Sequence, residues 1–374
     1  MANKHLNNFF SDIEATPPVL QNSYYPSLDG LRGIAILLVV VSHFNLISIP
    51  YYDVIFNGKL GVLIFFVLSG FLITTLCIKE KVATKNISLK NFYIRRALRI
   101  FPVAYLFLLV LLILNFAFKL DIHYIQFLGA GLYLMNFSSY FRTHHFSWYP
   151  AHFWSLAVEE QFYLAVPFIL KKKFKAYLTV ILSIIFLLPL LICLQYAYPR
   201  LNTGILYAFT HFIIKFQAIA VGCLFSVLAF KYDITQTGFV KYKWLLNLLA
   251  IFLLFFIQYD DLFSLRSVFT GLAVSFLAGY MIISNITPAK DAIFWLLNTK
   301  LLKIIGVLSY SMYIWQQIFT SNDPKLPAFM VTSPYNIICI VGVSCLSYYF
   351  YESYFLRLKS KFSKVKTREP VPAV

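Results

Sequence analysis

Apolar runs of about 20 residues recur along nearly the whole chain, and they limit the possible folds more than any other feature. A run of that length is what an α-helix needs to cross the hydrocarbon core of a bilayer. Hydrophobic residues make up 60% of the 374 residues and charged residues only 13%, so no stretch remains that could bury a separate soluble core. The sequence therefore predicts an all-α, polytopic integral membrane protein.

The apolar pattern also places the individual helices. We predict about ten transmembrane spans from the position of each run and the polar residues that interrupt it. They lie near residues 31–49, 60–78, 100–118, 151–170, 176–197, 205–230, 244–259, 267–286, 304–323 and 335–356.

One further apolar stretch, residues 124–137, is only about 14 residues long and is too short to cross comfortably. We therefore predict a re-entrant or interfacial segment at residues 124–140, whose backbone must be satisfied by protein or water. The polar and aromatic stretch that follows contains Arg142, His144 and His145.

The distribution of charge predicts the topology and the organisation of the chain. Most of the 32 Lys and Arg residues lie in segments that are cytoplasmic if the N-terminus is inside, so both termini are expected in the cytoplasm. The net charge of +17 is then a topology signal, and we expect no nucleic-acid partner. The predicted organisation is an N-terminal tail over 1–27 without a cleavable signal peptide, a membrane-embedded domain over 28–358 and a basic tail over 359–374.

The five cysteines lie inside apolar runs and form no CxxC pair. Both features argue against a disulfide framework and against a zinc site. We expect these cysteines to be packing residues and no metal to be bound.

Two ionisable residues of the first span, Arg32 and His43, are candidates for function because charged groups inside a membrane are costly. Eleven residues make about three helical turns and rise roughly 16 Å, so the two side chains share a face at different depths. The alternative interpretation is an arginine that marks the helix end and a histidine satisfied by a neighbouring hydroxyl.

Arg96 and Arg99 are three residues apart and therefore share one face at the start of the third span. Two guanidinium groups at that spacing suit a phosphate-bearing ligand that approaches from the cytosol. Arginine at a cytoplasmic helix end is also what topology alone would produce, so this alternative stays open.

The fourth span carries two acids, Glu159 and Glu160, where lipid-facing residues are expected. Glu159 has about the same predicted depth as His43, and a carboxylate beside an imidazole is the arrangement of a general base. Glu160 is rotated from Glu159 by about 100° and faces elsewhere. A structural role in a helix–helix contact is the alternative.

Six segments stand out along nearly the whole chain: LDGLRGIAILLVVVSH (Leu28–His43), GVLIFFVLSGFLIT (Gly61–Thr74), FYIRRALRIFP (Phe92–Pro102), FWSLAVEEQFYL (Phe153–Leu164), GVLSYSMYIWQQ (Gly306–Gln317) and YYFYESYFLRL (Tyr348–Leu358). In this order they resemble the acyltransferase 3 family, the polytopic membrane acyltransferases that include bacterial O-antigen acetyltransferases. Each segment alone is a weak match to that family, but the six in order are a strong one.

The resemblance implies an O-acyltransferase of the bacterial inner membrane. It implies acyl-CoA, usually acetyl-CoA, as the cytoplasmic donor, and a carbohydrate or another hydroxyl- or amine-bearing envelope molecule as the acceptor. The family's Arg-x10-His motif maps onto Arg32 and His43, and its Arg-x-x-Arg motif maps onto Arg96 and Arg99. Glu159 matches the acid of the family's Trp-Ser-Leu-x-Val-Glu stretch.

On this basis we expect His43 to be the general base, Glu159 to hold its imidazole, and Arg32 to polarise the thioester or bind phosphate. The sequence departs from the family at Gln316, where many relatives carry histidine. Some relatives also carry a C-terminal esterase-like domain. Because only a short tail follows Leu358, we expect transfer to be completed by the membrane domain or with a separate partner.

Two other classes of function fit the composition. A proton-coupled secondary transporter would also have about ten spans with a midplane histidine and carboxylate, but the chain shows no paired halves. A non-catalytic envelope scaffold would leave the intramembrane charges unexplained. A covalent acyl relay through Ser42 or Ser69 stays open, as does the oligomeric state.

Overall fold

The computed structural model describes residues 9–44, 56–140, 146–201, 204–232, 242–256 and 265–363, and these residues are mostly helical. No β-strand occurs within these ranges. The prediction of an all-α protein is therefore confirmed.

A helix lies at the position of every predicted span, within the residues that the structure describes. Shorter turns lie at Pro18–Gln21, Met135–Tyr140, Pro199–Leu201 and Ala328–Val331. The longer helices are α1 (Pro26–Ser42), α2 (Gly58–Thr84), α3 (Leu89–Phe118), α4 (Tyr124–Gly131), α5 (Phe153–Lys172), α6 (Phe174–Ala197), α7 (Leu206–Lys231), α8 (Lys243–Phe256), α9 (Leu265–Asn285), α10 (Ala292–Leu297), α11 (Lys300–Phe319) and α12 (Tyr335–Ser360).

Six helices of the described chain, α2, α3, α6, α7, α9 and α12, are long and apolar enough to cross a membrane. Among the other predicted spans, α1 has only 17 residues, and α5 and α11 contain acidic or amide side chains along their length. These three helices carry most of the polar residues that the sequence singles out. Such helices are tolerated in a membrane when their polar side chains face the protein interior.

The segment after α3 does not cross the bundle. Helix α4 has eight residues and therefore rises only about 12 Å. Its surroundings satisfy the irregular backbone: Tyr105 donates to the carbonyl of Gly131 at 2.9 Å, and Lys215 donates to the carbonyl of Asn136 at 2.7 Å. The predicted non-crossing segment is thus present, whereas Arg142, His144 and His145 lie outside the described residues.

Helix α1 lies at the centre of the molecule because its side chains enter both hydrophobic cores. Leu28 and Ala35 pack in the core built around α2, α7 and α9, whereas Ile36 and Val40 pack in the core built around α3, α11 and α12. All four side chains are buried. Polar residues on α1 are therefore surrounded by protein on most sides.

Glycines bring α1 and α11 into backbone contact. A Cβ atom on Gly306 would collide with the carbonyl oxygen of Asp29, and one on Gly33 would collide with that of Leu302. Only a hydrogen at these positions allows the two helices to approach so closely. They run in the same direction, since Gly33 lies beside Leu302 and His43 beside Gln316.

The described part of the predicted N-terminal tail packs against the bundle. Lys79 donates to the carbonyl of Asn22 at 2.9 Å, Lys81 pairs with Asp12 at 2.8 Å, and Leu20 is fully buried. This segment therefore covers the end of the bundle at which α2 finishes. Most of the predicted C-terminal tail, residues 364–374, lies outside the described residues.

Candidate active site

A cavity of about 470 Å³ lies between α1, α2, α3, α5, α11 and α12. Four of the five residues predicted for the site line it, although they come from three different helices: Arg32, Arg96, Arg99 and Glu159. The fifth, His43, is not part of this lining. The structure therefore brings the arginines and the acid together around one cavity, and His43 lies outside the lining of that cavity.

The start of α3 is held by a neighbouring ion pair that the sequence did not single out. Glu80 pairs with Arg95 at 3.0 Å, and its second oxygen accepts from the backbone N–H of Ser88 at 2.9 Å. Arg95 also donates to the carbonyl of Phe362 at 2.8 Å. Because Arg95 is occupied in this way, it anchors the helix turn from which Arg96 reaches the cavity.

Tyr163 joins Arg96 to Glu159. The guanidinium group of Arg96 lies over the Tyr163 ring, 4.4 Å from its centroid, which is a cation–π contact. The Tyr163 hydroxyl donates to Glu159 Oε2 at 3.4 Å. A positive group and a carboxylate thus approach the cavity around one buried tyrosine.

Arg32 is held by Asp29, one turn earlier on α1. Arg32 Nη1 donates to Asp29 Oδ1, and Asp29 is buried with 3% exposure. The second carboxylate oxygen, Asp29 Oδ2, has no hydrogen-bond partner within the described residues. A charge partner for Arg32 at this spacing was visible in the sequence as an i, i+3 pair, but the sequence analysis did not use it.

Glu159 faces the cavity together with Ser69 and Ser155. Ser69 Oγ donates to Glu159 Oε1 at 2.9 Å. Glu160 does not belong to the cavity lining, as the helix-face argument predicted.

His43 is the residue directly after α1, and its hydrogen-bond partner is not the residue that we expected. His43 Nδ1 lies 2.8 Å from Gln316 Oε1, and its ring meets that of Trp148 edge to face at 5.0 Å. The hydrogen bonds of Glu159 come from Ser69 and Tyr163, and none is formed with His43. The reason is the close glycine contact between α1 and α11, which brings Gln316 against His43.

His152 is a buried polar residue that the sequence analysis did not select. Its carbonyl accepts from Ser155 at 3.2 Å and from Tyr313 at 3.1 Å, and both of these side chains line the cavity. Neither ring nitrogen of His152 has a hydrogen-bond partner within the described residues. A histidine directly before an apolar span was the available signal.

No metal centre is indicated among the described residues, because no three His, Cys, Asp or Glu side chains cluster there as ligands. The five cysteines are free, and Cys77 and Cys223 are buried among apolar side chains. Packing is therefore sufficient to explain these two thiols.

Comparison with known proteins identifies the family. A family model described as an acyltransferase domain, of the acyltransferase 3 type, matches residues 25–353. This chain belongs to the acyltransferase 3 family. The match covers every residue proposed for the site, and it confirms the resemblance drawn from the six sequence segments.

Three relatives of this acyltransferase 3 protein show how far the similarity extends. A candidate O-acetyltransferase of Staphylococcus aureus (strain COL) is 30% identical in an alignment of 371 positions that covers 89% of this chain and 57% of the relative. The peptidoglycan O-acetyltransferase OatA of Listeria monocytogenes is 29% identical over 81% of this chain and 50% of its own length. The O-acetyltransferase OatA of Staphylococcus aureus (strain NCTC 8325 / PS 47) is 30% identical over 81% of this chain and 52% of its own length. The chain thus spans about half the length of these relatives, and no solved structure matches it.

Proposed function

We propose that this domain is an O-acyltransferase of the bacterial inner membrane, with both termini in the cytoplasm. It transfers an acyl group, with acetyl as the expected one, from cytoplasmic acyl-CoA to a hydroxyl group of a carbohydrate or other envelope acceptor. Family membership and the names of the relatives support this proposal. The observation that carries it is a cavity whose lining combines Arg32, Arg96 and Arg99 with the hydrogen-bonded pair of Ser69 and Glu159.

The arginines suit the phosphate groups of the donor. Arg96 and Arg99 present planar guanidinium groups to the cavity, and such groups form bidentate hydrogen bonds with phosphate oxygens. Arg32 has five N–H donors, and within the described residues only Nη1 is bonded, to Asp29, so it can act on a phosphate or on the thioester carbonyl. The thioester arm then extends into the cavity between the helices.

In the proposed reaction, His43 takes the proton of the acceptor hydroxyl as its oxygen attacks the thioester carbon. The new carbon–oxygen bond forms, the carbon–sulfur bond breaks, and the proton passes from His43 to the departing thiolate of CoA. Glu159 does not hold His43 in this scheme. It accepts from Ser69 and offsets the positive charge of Arg96.

The proposal is tested by acyl transfer with purified protein in nanodiscs and isotopically labelled acetyl-CoA. Mass spectrometry of envelope glycans from cells with and without the gene identifies the acceptor by the mass of one acyl unit. Replacing His43 by Ala should reduce transfer by about 10²–10⁴-fold while donor binding and thermal stability are retained. Retained transfer in His43→Ala, or loss only in step with unfolding, would exclude the general-base role.

A further inference from the structure

The end of α11 carries two consecutive glutamines that are almost completely buried. Gln316 is 0% exposed and Gln317 is 2% exposed. A buried primary amide is costly unless its donors and its acceptor are paired. The partners of these two side chains therefore determine how each amide group is oriented.

The orientation of Gln317 follows from its contact with Trp148. Gln317 Nε2 lies 2.9 Å from the backbone carbonyl oxygen of Trp148, and the Trp148 indole N–H donates to the backbone carbonyl of Gln317 at 3.1 Å. A carbonyl oxygen can only accept, so the Gln317 side-chain atom that faces it must be the nitrogen. This reciprocal pair of bonds joins α11 to the segment that precedes α5.

The orientation of Gln316 follows from that of Gln317. With its nitrogen toward Trp148, Gln317 presents Oε1 to Gln316, and Gln316 Nε2 donates to it at 3.2 Å. Gln316 must then direct its own oxygen toward His43, where Oε1 lies 2.8 Å from Nδ1. An amide oxygen only accepts, so His43 Nδ1 carries the hydrogen.

A neutral imidazole with hydrogen on Nδ1 has its lone pair on Nε2. We propose that Gln316 and Gln317 are positioning residues that hold His43 in the Nδ1–H tautomer, with Nε2 as the atom that accepts the proton of the acceptor hydroxyl. The assignment of the tautomer stands on the hydrogen bonds alone. Its use in acyl transfer rests on the function proposed above.

This arrangement gives a role to the residue at which the chain departs from its family. The side chain of Gln316 is neutral and cannot exchange a proton with His43 in the way that an ionisable partner can. Gln316 therefore orients the imidazole without sharing its charge. The hydrogen bonds that run from His43 through the side chains of Gln316 and Gln317 end on the backbone carbonyl of Trp148. Replacing the Trp148 side chain would therefore leave the atom that orients both amide groups in place.

The tautomer is measured directly by nitrogen NMR. The protein is labelled with ¹⁵N-histidine, reconstituted in nanodiscs, and compared with His43→Gln so that the His43 signals are assigned among the seven histidines. We expect a protonated Nδ1 and an unprotonated Nε2 at neutral pH. A protonated Nε2 on neutral His43 would overturn the proposal, whatever the protein's activity.

Variants of Gln316 separate positioning from packing. Gln316→Leu removes the acceptor, and we expect loss of the Nδ1–H preference and a fall in kcat of at least about 10-fold with little change in KM for acetyl-CoA. In Gln316→Glu the carboxyl group offers an oxygen acceptor to Nδ1–H in both its protonated and its ionised form. The Nδ1–H tautomer of His43 and most of kcat should therefore be kept. Equal loss of kcat and of the tautomer preference in both variants would contradict the proposal.

The matched control is Gln195→Leu. Gln195, on α6, is also a buried glutamine with 2% exposure, but it accepts from Thr210 on α7 and donates to the carbonyl of Leu201 in the turn after α6. This change should leave the nitrogen signals of His43 unaltered, and it should leave kcat, calculated per mole of folded protein, unaltered as well. The two proposals can fail separately. If the unaltered protein and all variants fail to transfer acetyl groups, the proposed function is wrong. If His43 still keeps its Nδ1–H tautomer only where residue 316 offers an oxygen, the positioning by Gln316 is nevertheless supported.

Discussion

Ser69 Oγ donates a hydrogen bond to Glu159 Oε1 across 2.9 Å, and it thereby joins α2 to α5 at the wall of the cavity. The carboxylate receives a second hydrogen bond from Tyr163 at 3.4 Å. Glu159 is thus surrounded by hydroxyl groups and faces the charge of Arg96. From these contacts we propose that Glu159 positions Ser69 and offsets the charge of Arg96, which gives the first prediction.

Replacing Glu159 by Gln should lower acyl transfer by about 10- to 100-fold, since the carboxylate that offsets Arg96 and orders Ser69 is lost. Glu160→Gln is the matched control on the adjacent residue, and its effect should be much smaller because Glu160 lies outside the cavity lining. The measurement is kcat/KM beside thermal unfolding of each variant. Equal losses for both acids would show that the cavity does not distinguish them.

Replacing Arg96 or Arg99 by Ala should weaken acetyl-CoA binding by about 10- to 100-fold each, since a hydrogen bond to a charged group contributes about 1.5–3 kcal/mol. Lysine should restore only part of the affinity because it lacks the planar two-donor edge. Binding is measured by calorimetry on protein in nanodiscs. Unchanged affinity together with poor membrane insertion would leave the pair a topology signal only.

Arg95→Ala should destabilise the fold by about 3 kcal/mol or more, because Glu80 then remains as a buried charge without its partner. The Glu80 side chain is 3% exposed and that of Arg95 15% exposed. The double variant Glu80→Gln with Arg95→Met removes both charges, and it should destabilise the fold less than Arg95→Ala alone. The midpoint of thermal unfolding in detergent tests this order.

The control for that comparison is the exposed pair of Lys325 and Asp121. The hydrogen bond and charge of Lys325 lower the pKa of Asp121 below its ordinary value. Any stability from this pair is present above the ordinary pKa of aspartate and is lost as pH falls through the lowered value. Lys325→Gln, measured at neutral pH, should change the unfolding midpoint very little.

Gly306→Val should separate α1 from α11, since its Cβ atom would collide with the carbonyl oxygen of Asp29. We expect strong destabilisation together with loss of the contact between His43 and Gln316. Gly342→Val on α12 is the control, because no heavy atom lies within 4 Å of a Cβ built there. Unfolding midpoints and the His43 nitrogen signals together report the result, and similar behaviour of the two variants would contradict the close packing.

Cysteine labelling in intact cells should find the loop from Lys79 to Lys90 and the C-terminus in the cytoplasm, with the region of His144 and His145 outside. The expectation follows from the excess of Lys and Arg in the segments assigned to the cytoplasm. Single cysteines are introduced into a variant without the five native ones. Labelling of the Lys79–Lys90 loop and the His144 region from the same side would overturn the assignment of the spans.

The sequence alone was sufficient to place the helices, because a bilayer requires apolar segments of one length and the chain alternates such segments with basic loops. It also selected Arg32, Arg96, Arg99 and Glu159, since charged groups inside apolar spans are costly and are kept facing a cavity. The family motifs then linked these residues across helices. All four line the same cavity in the structure.

Only the tertiary structure decided which group contacts His43. Matching depths suggested Glu159, but depth along a span does not determine which neighbouring helix lies against a given face. The neighbour is determined by Gly33 and Gly306. Because they have no side chains, α11 packs closely enough against α1 for Gln316 to contact His43. Helical periodicity describes one helix at a time, whereas backbone contact between two helices depends on the shapes of both surfaces.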